Sequence, residues 1–273
     1  TSVSSTFRAV TVAQGPAVTK VIETPLFRAT ITSKGAMISS FVLAKYKTYK
    51  QGPLDLVNQR DYHGAGVALK FVGADGKVAS TAAFQFTLDS TPVTLKGSET
   101  VSISAVCKLD DHRSIVKTYT FSGDKYEMGV QFHLIGLQNS VSGYHYSAAL
   151  DNPIPFVEMR SADELSDAKV FAGIAGDVED LTAKKIGEVA HKPVNGTISF
   201  IGARNQYFTE ALIPINEKTL GADLSARALK APDGGVMTDY ASNVHIPIQH
   251  AQNEDLTFKL YLGPLEYERV KAI

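Results

Sequence analysis

FIGARNQYFTEALIP, residues Phe200 to Pro214, combines a buried-strand pattern, an adjacent Tyr-Phe pair and a closing Ile-Pro. Successive residues of a strand point to opposite faces, so one of the Tyr207 and Phe208 rings is expected to pack inward and the other to meet a neighbouring element. Pro214 has no amide proton to give a ladder and stops the strand. The alternation resumes at Gly196, ahead of this stretch, and continues through LSARALK. It returns in the apolar run Asp255 to Leu262, after a polar turn at Gln252 to Glu254. These strands are expected to close the sheets of an all-β protein.

The amino-terminal half repeats the pattern. From Val21 onward Leu26, Arg28, Thr30 and Thr32 alternate with Phe27, Ala29 and Ile31, and Lys34-Gly35 supplies a turn. In GVALKFVGADGKVAS the Asp75-Gly76 pair sits between two apolar runs and predicts a hairpin, because that pair accepts positive φ cheaply. AFQFTLDS, TVSISAVCKLD, SIVKTYTFSGDKYEMGVQFHLIGL and YHYSAALD add further strands at sandwich-like spacing, some six before Pro153.

Between Asn152 and Lys192 the texture changes to an acidic, small-residue segment without steady alternation. It reads as a long excursion over one sandwich face with one short helix. EDLTAKKIGEV has helix-compatible spacing at Leu181, Lys185 and Glu188, but Gly173, Gly176 and Gly187 interrupt any long helix. Residues 1–20, rich in Ser and Thr with a Gly-Pro break, read as a linker or tether, and 21–262 as the sandwich domain. In 263–273, Pro264 opens a short helix with Glu266 in its first turn and Arg269 and Lys271 near its end, matching the helix dipole.

Composition excludes several classes of function. The 27 basic and 28 acidic side chains are dispersed and leave a net charge of −1, which gives no footprint for nucleic acid. Lys45, Lys47 and Lys50 form a local basic cluster that reads first as a solvated loop and second as a contact for anionic lipid headgroups. Cys107 is the single cysteine, so an intrachain disulfide and a thiolate cluster are both impossible. No stretch approaches the eighteen or so apolar residues that a membrane span needs, and the chain is expected to be soluble.

Motifs for catalysis are missing. None of His63, His112, His133, His145, His191, His245 and His250 pairs in the HExxH or HxH spacing of a zinc site, and no cofactor is expected. There is no Gly-x-Ser-x-Gly elbow, and Gly73–Gly76 and Gly173–Gly176 lack the spacing and lysine of a phosphate loop. His145 with Glu158, Asp163 and Glu164 could supply the acid and base of a carbohydrate epimerase or lyase. The absence of tryptophan weakens a sugar-stacking reading.

Phe200–Pro214, with Tyr207, Phe208, Ile213 and Pro214 in place, resembles the large periplasmic domain of the bacterial YidC membrane protein insertase family. So do LYLGPLEYERV at Leu260 to Val270, with Gly263-Pro264, and the run ETPLFRATITSKGAMISSFVLAKYK from Glu23, with its turn glycine Gly35. Phe200 stands where the family often has Trp. The resemblance implies an antiparallel β supersandwich, galactose-mutarotase-like, on the periplasmic side of the inner membrane, in a chain that is a fragment of a multi-pass protein. It implies a non-catalytic, monomeric scaffold and interaction module whose exit helix, through Leu265, Tyr267 and Val270, leads to a membrane segment. The implied partners are the membrane part of the insertase, nascent membrane proteins and accessory subunits of the Sec translocon. A binding domain whose cleft holds a glycan, peptide or lipid-like chain is the alternative, with a mutarotase-like enzyme behind it.

Overall fold

The computed structural model describes residues 5–11, 17–57, 64–152 and 154–265. Among them the fold is almost entirely strand. The first strands are β1 (Thr19–Glu23), β2 (Phe27–Thr32), β3 (Ile38–Lys47), β4 (Pro53–Asp55), β5 (Val67–Gly73), β6 (Val78–Ser80) and β7 (Val93–Thr94). Four long strands follow, β8 (Thr100–Lys108), β9 (Ser114–Ser122), β10 (Glu127–Ile135) and β11 (Val141–Leu150). After the one-turn helix α1 (Ser161–Leu165) come β12 (Lys169–Ile174), β13 (Asp177–Leu181), β14 (Val189–Asn195) and β15 (Ile198–Arg204). The last are β16 (Phe208–Pro214), β17 (Gly221–Lys230), β18 (Val236–Pro247) and β19 (Asn253–Pro264).

Among the described residues these strands form three sheets. Their orders are β4-β3-β2-β1-β7, β13-β12-β15-β16-β19-β10-β9-β8 and β14-β17-β18-β11-β5-β6. Every neighbour is antiparallel except β7, which joins β1 in parallel. The alternation explains the layering: in β10 Met128, Val130, Phe132 and Leu134 are buried while Gln131 is exposed. The eight- and six-stranded sheets meet where β12 and β15 lie against β17 and β18, and one continuous apolar core joins all three sheets.

Two predicted turns are present. Gly76 takes φ +75 between β5 and β6, with Gly73 N donating to Lys77 O at 2.8 Å. Gly35, with φ +70, has a second reason to be glycine: a Cβ there would lie 2.7 Å from the backbone oxygen of Ala82.

Several expectations are corrected. Among the described residues eleven strands precede Pro153 rather than six; three of them, β4, β6 and β7, are only two or three residues long and leave little alternation to read. The linker reading fails for Ser5–Val10, which form a 3-10 turn. There Phe7 is fully buried, stacked at 5.5 Å on Phe84 and edge-on at 5.1 Å to Phe71, so a single aromatic anchor overrides a polar composition. The short helix lies at Ser161–Leu165, whereas Glu179–Leu181 belong to β13 and Val189 opens β14. Gly263 and Pro264 end β19 instead of opening a helix, since they remain paired with Thr209 and Phe208. The remainder of the expected helix, with Tyr267 and Val270, lies outside the described residues.

Candidate functional site

The stretch Phe200–Pro214 is a hairpin rather than one strand. β15 ends at Arg204, β16 begins at Phe208, and Asn205 makes the turn. Its Oδ1 accepts from Tyr207 N at 3.0 Å and Phe208 N at 2.8 Å, the local side-chain bonding that suits Asn to turns. Its amide nitrogen reaches across the fold. Asn205 Nδ2 donates to Glu164 Oε2 of α1 at 2.6 Å and to Pro155 O at 3.3 Å. The other oxygen of Glu164 accepts from Glu158 N at 2.6 Å and from Val157 N. Glu164 is fully buried, and that burial pushes its carboxyl up to about 7 against the amides that favour its charged form.

Through Pro155 and Glu158 this knot of polar bonds adjoins an open cleft of about 650 Å³. Its lining comes from Tyr49 and Lys50, from Pro155, Phe156, Glu158, Met159 and Ser161, and from Lys230–Asp233 with Met237. Tyr49 N donates to Val157 O at 3.3 Å, and Lys50 Nζ lies 5.5 Å above the Tyr49 ring. Asp233 accepts from Ser161 N at 2.8 Å and Gly235 N at 3.0 Å, bonds that hold its carboxyl below the usual range. Met159 is 66% exposed at the rim. The cleft is amphipathic, with thioether, aromatic and proline surface between charges of both signs.

A second groove, about 560 Å³, runs over the eight-stranded sheet and is lined by Phe171, Phe200, Ala211, Ile213, Tyr261 and Leu265 among others. Phe171 faces Gly202 and Phe200 faces Gly173 across the β12–β15 pair, each ring covering the glycine on the partner strand.

The residues singled out from sequence fall into place around these features. Phe208 is buried edge-on to Tyr46 at 5.6 Å, while Tyr207 is 41% exposed. Ile213 and Pro214 close β16 against Lys259 and Phe258. Gly263 sits under the Tyr126 ring, which a Cβ would approach to 2.9 Å, and Leu265 N donates to Tyr207 O at 2.7 Å. The chain therefore leaves the described structure still bonded to the marker turn.

The acid–base set expected for a carbohydrate enzyme is not assembled. Asp163 pairs with Arg160 at 2.7 Å, Glu164 is occupied by amides, and the His145 ring packs on His245 with centroids 4.3 Å apart. Cys107 is buried and its thiol is pushed up to about 12 by burial. Among the described residues no cluster has the geometry to hold a metal ion, and no helix is long and apolar enough to cross a membrane.

Sequence reasoning missed two polar groups in the core. Lys117 of β9 is fully buried, donating to Val67 O at 2.7 Å, and burial holds its ammonium well below the usual range. Glu210 of β16 accepts from Gly66 N at 3.1 Å and is pushed up to about 7 by burial. Lys117 did show in the alternation, at an inward position of SIVKTYTFS; Glu210 likewise follows the inward Phe208 by two residues.

A family model described as the YidC periplasmic domain matches residues 19–273. The Membrane protein insertase YidC of Chlorobium luteolum is 33% identical over 255 residues, which are 92% of this chain and 43% of the relative. Those of Chlorobaculum tepidum and Chloroherpeton thalassium are 32% and 30% identical, over 93% and 92% of this chain and 43% of each relative. The chain thus spans well under half the length of these relatives. Among solved structures, a putative aldose 1-epimerase from Escherichia coli K12 superposes with a TM-score of 0.51 at 8% identity, covering 92% of this chain and all of that one. A TPR-domain containing protein from Parabacteroides distasonis gives 0.51 at 10% identity, covering 90% of this chain and 47% of that one. At such identities the likeness is one of fold, and it is the fold of a mutarotase-like supersandwich. With the family match running from the first residue of β1 through the whole sandwich, this chain belongs to the family of YidC periplasmic domains.

Proposed function

We propose that the chain is the non-catalytic, periplasmic module of an inner-membrane protein insertase, serving as its scaffold and docking surface. The observation that carries this reading is the extent of the match, from β1 onward, together with relatives named membrane protein insertases over 92% of this chain. Its partners on this reading are the membrane part of the insertase, nascent membrane proteins and accessory subunits of the Sec translocon. The bonding of the polar groups supports a structural role for them. Glu164 is fully buried and held by Asn205 and two amides, and Asp163 is paired with Arg160, so neither is presented to a substrate in the cleft.

The test substitutes Glu158→Gln and Asp163→Asn together in the whole-length insertase. Cells depleted of the native protein are then scored for insertion of a membrane reporter. The scaffold reading expects insertion at the native rate. Loss of insertion, with the amount and the urea midpoint of the protein unchanged, would assign these two carboxylates a chemical role and overturn it.

A further inference from the structure

On the six-stranded sheet a polar chain crosses four neighbouring strands, β14-β17-β18-β11. Ser147 Oγ lies 3.1 Å from His245 Nδ1, His245 Nε2 lies 3.0 Å from Asp223 Oδ2, and Asp223 Oδ1 lies 3.4 Å from His191 Nε2. The His145 ring sits beside that of His245, centroids 4.3 Å apart. The set faces away from the core, because the residues flanking it in sequence, Ala222, Leu224, Val244 and Ile246, are all buried.

The strand carrying His145 is irregular. The pairing of β11 with β5 breaks between Ser142 and Ser147, and Gly143 takes φ +97. Tyr144, the residue before His145, is left 89% exposed. Such breaks re-aim side chains and recur next to functional sites. The surrounding charges are already engaged: Lys70 of β5 with Asp151 at 2.6 Å, Lys192 of β14 with Glu179 at 2.6 Å, and Arg227 of β17 with Asp239 at 3.2 Å. The cluster's own balance is therefore three imidazoles to one carboxylate.

We propose that His145, His191 and His245 around Asp223 form a proton-gated site for a phosphate-class oxyanion. Imidazoles take up protons between about pH 8 and 5. With neutral rings the cluster carries only the negative charge of Asp223 and repels an anion. With charged rings it has a net positive charge, and the N–H groups of His145 and the Nδ1–H of His191, outside the bonds to Ser147 and Asp223, are the donors that make the strong bonds to phosphate oxygens. His145 is held below the usual imidazole range by burial and by His245, with Asp223 opposing, so an anion seated against the edges of the two rings relieves the repulsion that acid creates.

The test follows the imidazole NMR resonances of the full chain during titration with inorganic phosphate at about pH 5.5 and about pH 7.5. His145, His191 and His245 are expected to shift saturably, with affinity roughly tenfold higher at the lower pH, while His112, His133 and His250 stay put. The double variant His145→Asn with His191→Asn, at two exposed positions, is expected to lose that pH dependence while keeping its urea midpoint. Co-sedimentation with phosphatidylglycerol vesicles but not phosphatidylcholine vesicles would assign the oxyanion to a lipid headgroup; phosphate binding without it would assign a free oxyanion. No saturable shift at the lower pH, equal affinity at both, or equal shifts in the control histidines would overturn the proposal.

Discussion

Asn205 Nδ2 donates to Glu164 Oε2 across 2.6 Å, joining the turn of the β15–β16 hairpin to a helix 41 residues earlier in the chain. Because the same Asn205 also caps Tyr207 and Phe208, one side chain fixes both the turn and the wall of the cleft. Asn205→Ala removes four bonds and leaves a buried carboxyl short of a donor, for a loss of roughly 2–4 kcal/mol read as a lower urea midpoint. Asn205→Asp keeps the turn acceptors but sets a second carboxylate against Glu164. Its loss is expected to be larger at neutral pH and smaller in mild acid. Equal stability of Asn205→Ala and the native chain would show that the bond is incidental.

That relationship marks where sequence reading stops. The long alternating strands β9, β10 and β19 were legible because one buried face imposes period two on Val, Phe and Leu. β18 was missed although it is twelve residues long. Its buried positions include Thr238, Asp239, Tyr240 and Ser242, which hide the apolar period. The Asn205–Glu164 bond left no local signal, since each residue alone is an ordinary turn or helix residue. The family marker was visible as FIGARNQYFTEALIP, yet its break into a hairpin depended on a partner far away in sequence.

Glu164 and Glu210 should make stability depend on pH. Each carboxyl is pushed up to about 7 by burial, above its ordinary value of 4.5. The folded chain therefore keeps protons that the unfolded chain releases. Their stabilising contribution is complete below about pH 4.5 and is lost as the pH rises through about 7, roughly 3 kcal/mol for each. Glu210→Gln is expected to be more stable than the native chain at about pH 8 and to flatten the profile of urea midpoint against pH. A native profile that is already flat over this window would refute the assignment.

Lys117 acts in the opposite sense. Its folded-state value lies well below the ordinary 10.5, so its contribution is present above that value and is lost as the pH falls. Among the described residues no carboxylate is paired with it, and its neighbours are the rings of Tyr119 at 4.9 Å and Phe132 at 5.3 Å and the Met37 sulfur at 3.5 Å. Lys117→Met is expected to stabilise the chain at neutral pH by about 2 kcal/mol, with a margin that widens in acid. A lower thermal midpoint for this variant would mean that the bond to Val67 O outweighs the cost of burying the amine.

The Phe171–Gly202 pair predicts a packing limit. A Cβ on Gly202 would lie 2.4 Å from Glu210 O and 2.8 Å from the Phe171 ring, and the first of these is backbone that cannot swing aside. Gly202→Ala should cost about 1–3 kcal/mol in urea unfolding. On Gly173 the nearest atoms belong to the Phe200 ring, a side chain that can turn, so Gly173→Ala should cost less. The reverse order would contradict this account of the outer groove.

The central claim is tested most directly by deleting residues 21–262 from the whole-length insertase and timing the insertion of a membrane reporter in cells depleted of the native protein. A scaffold whose chemistry lies elsewhere predicts insertion that is slower but still productive. An unchanged rate would contradict a contribution from the sandwich. Complete loss, with the shortened protein present in the membrane in normal amount, would contradict an accessory role and place a step that insertion requires in the sandwich.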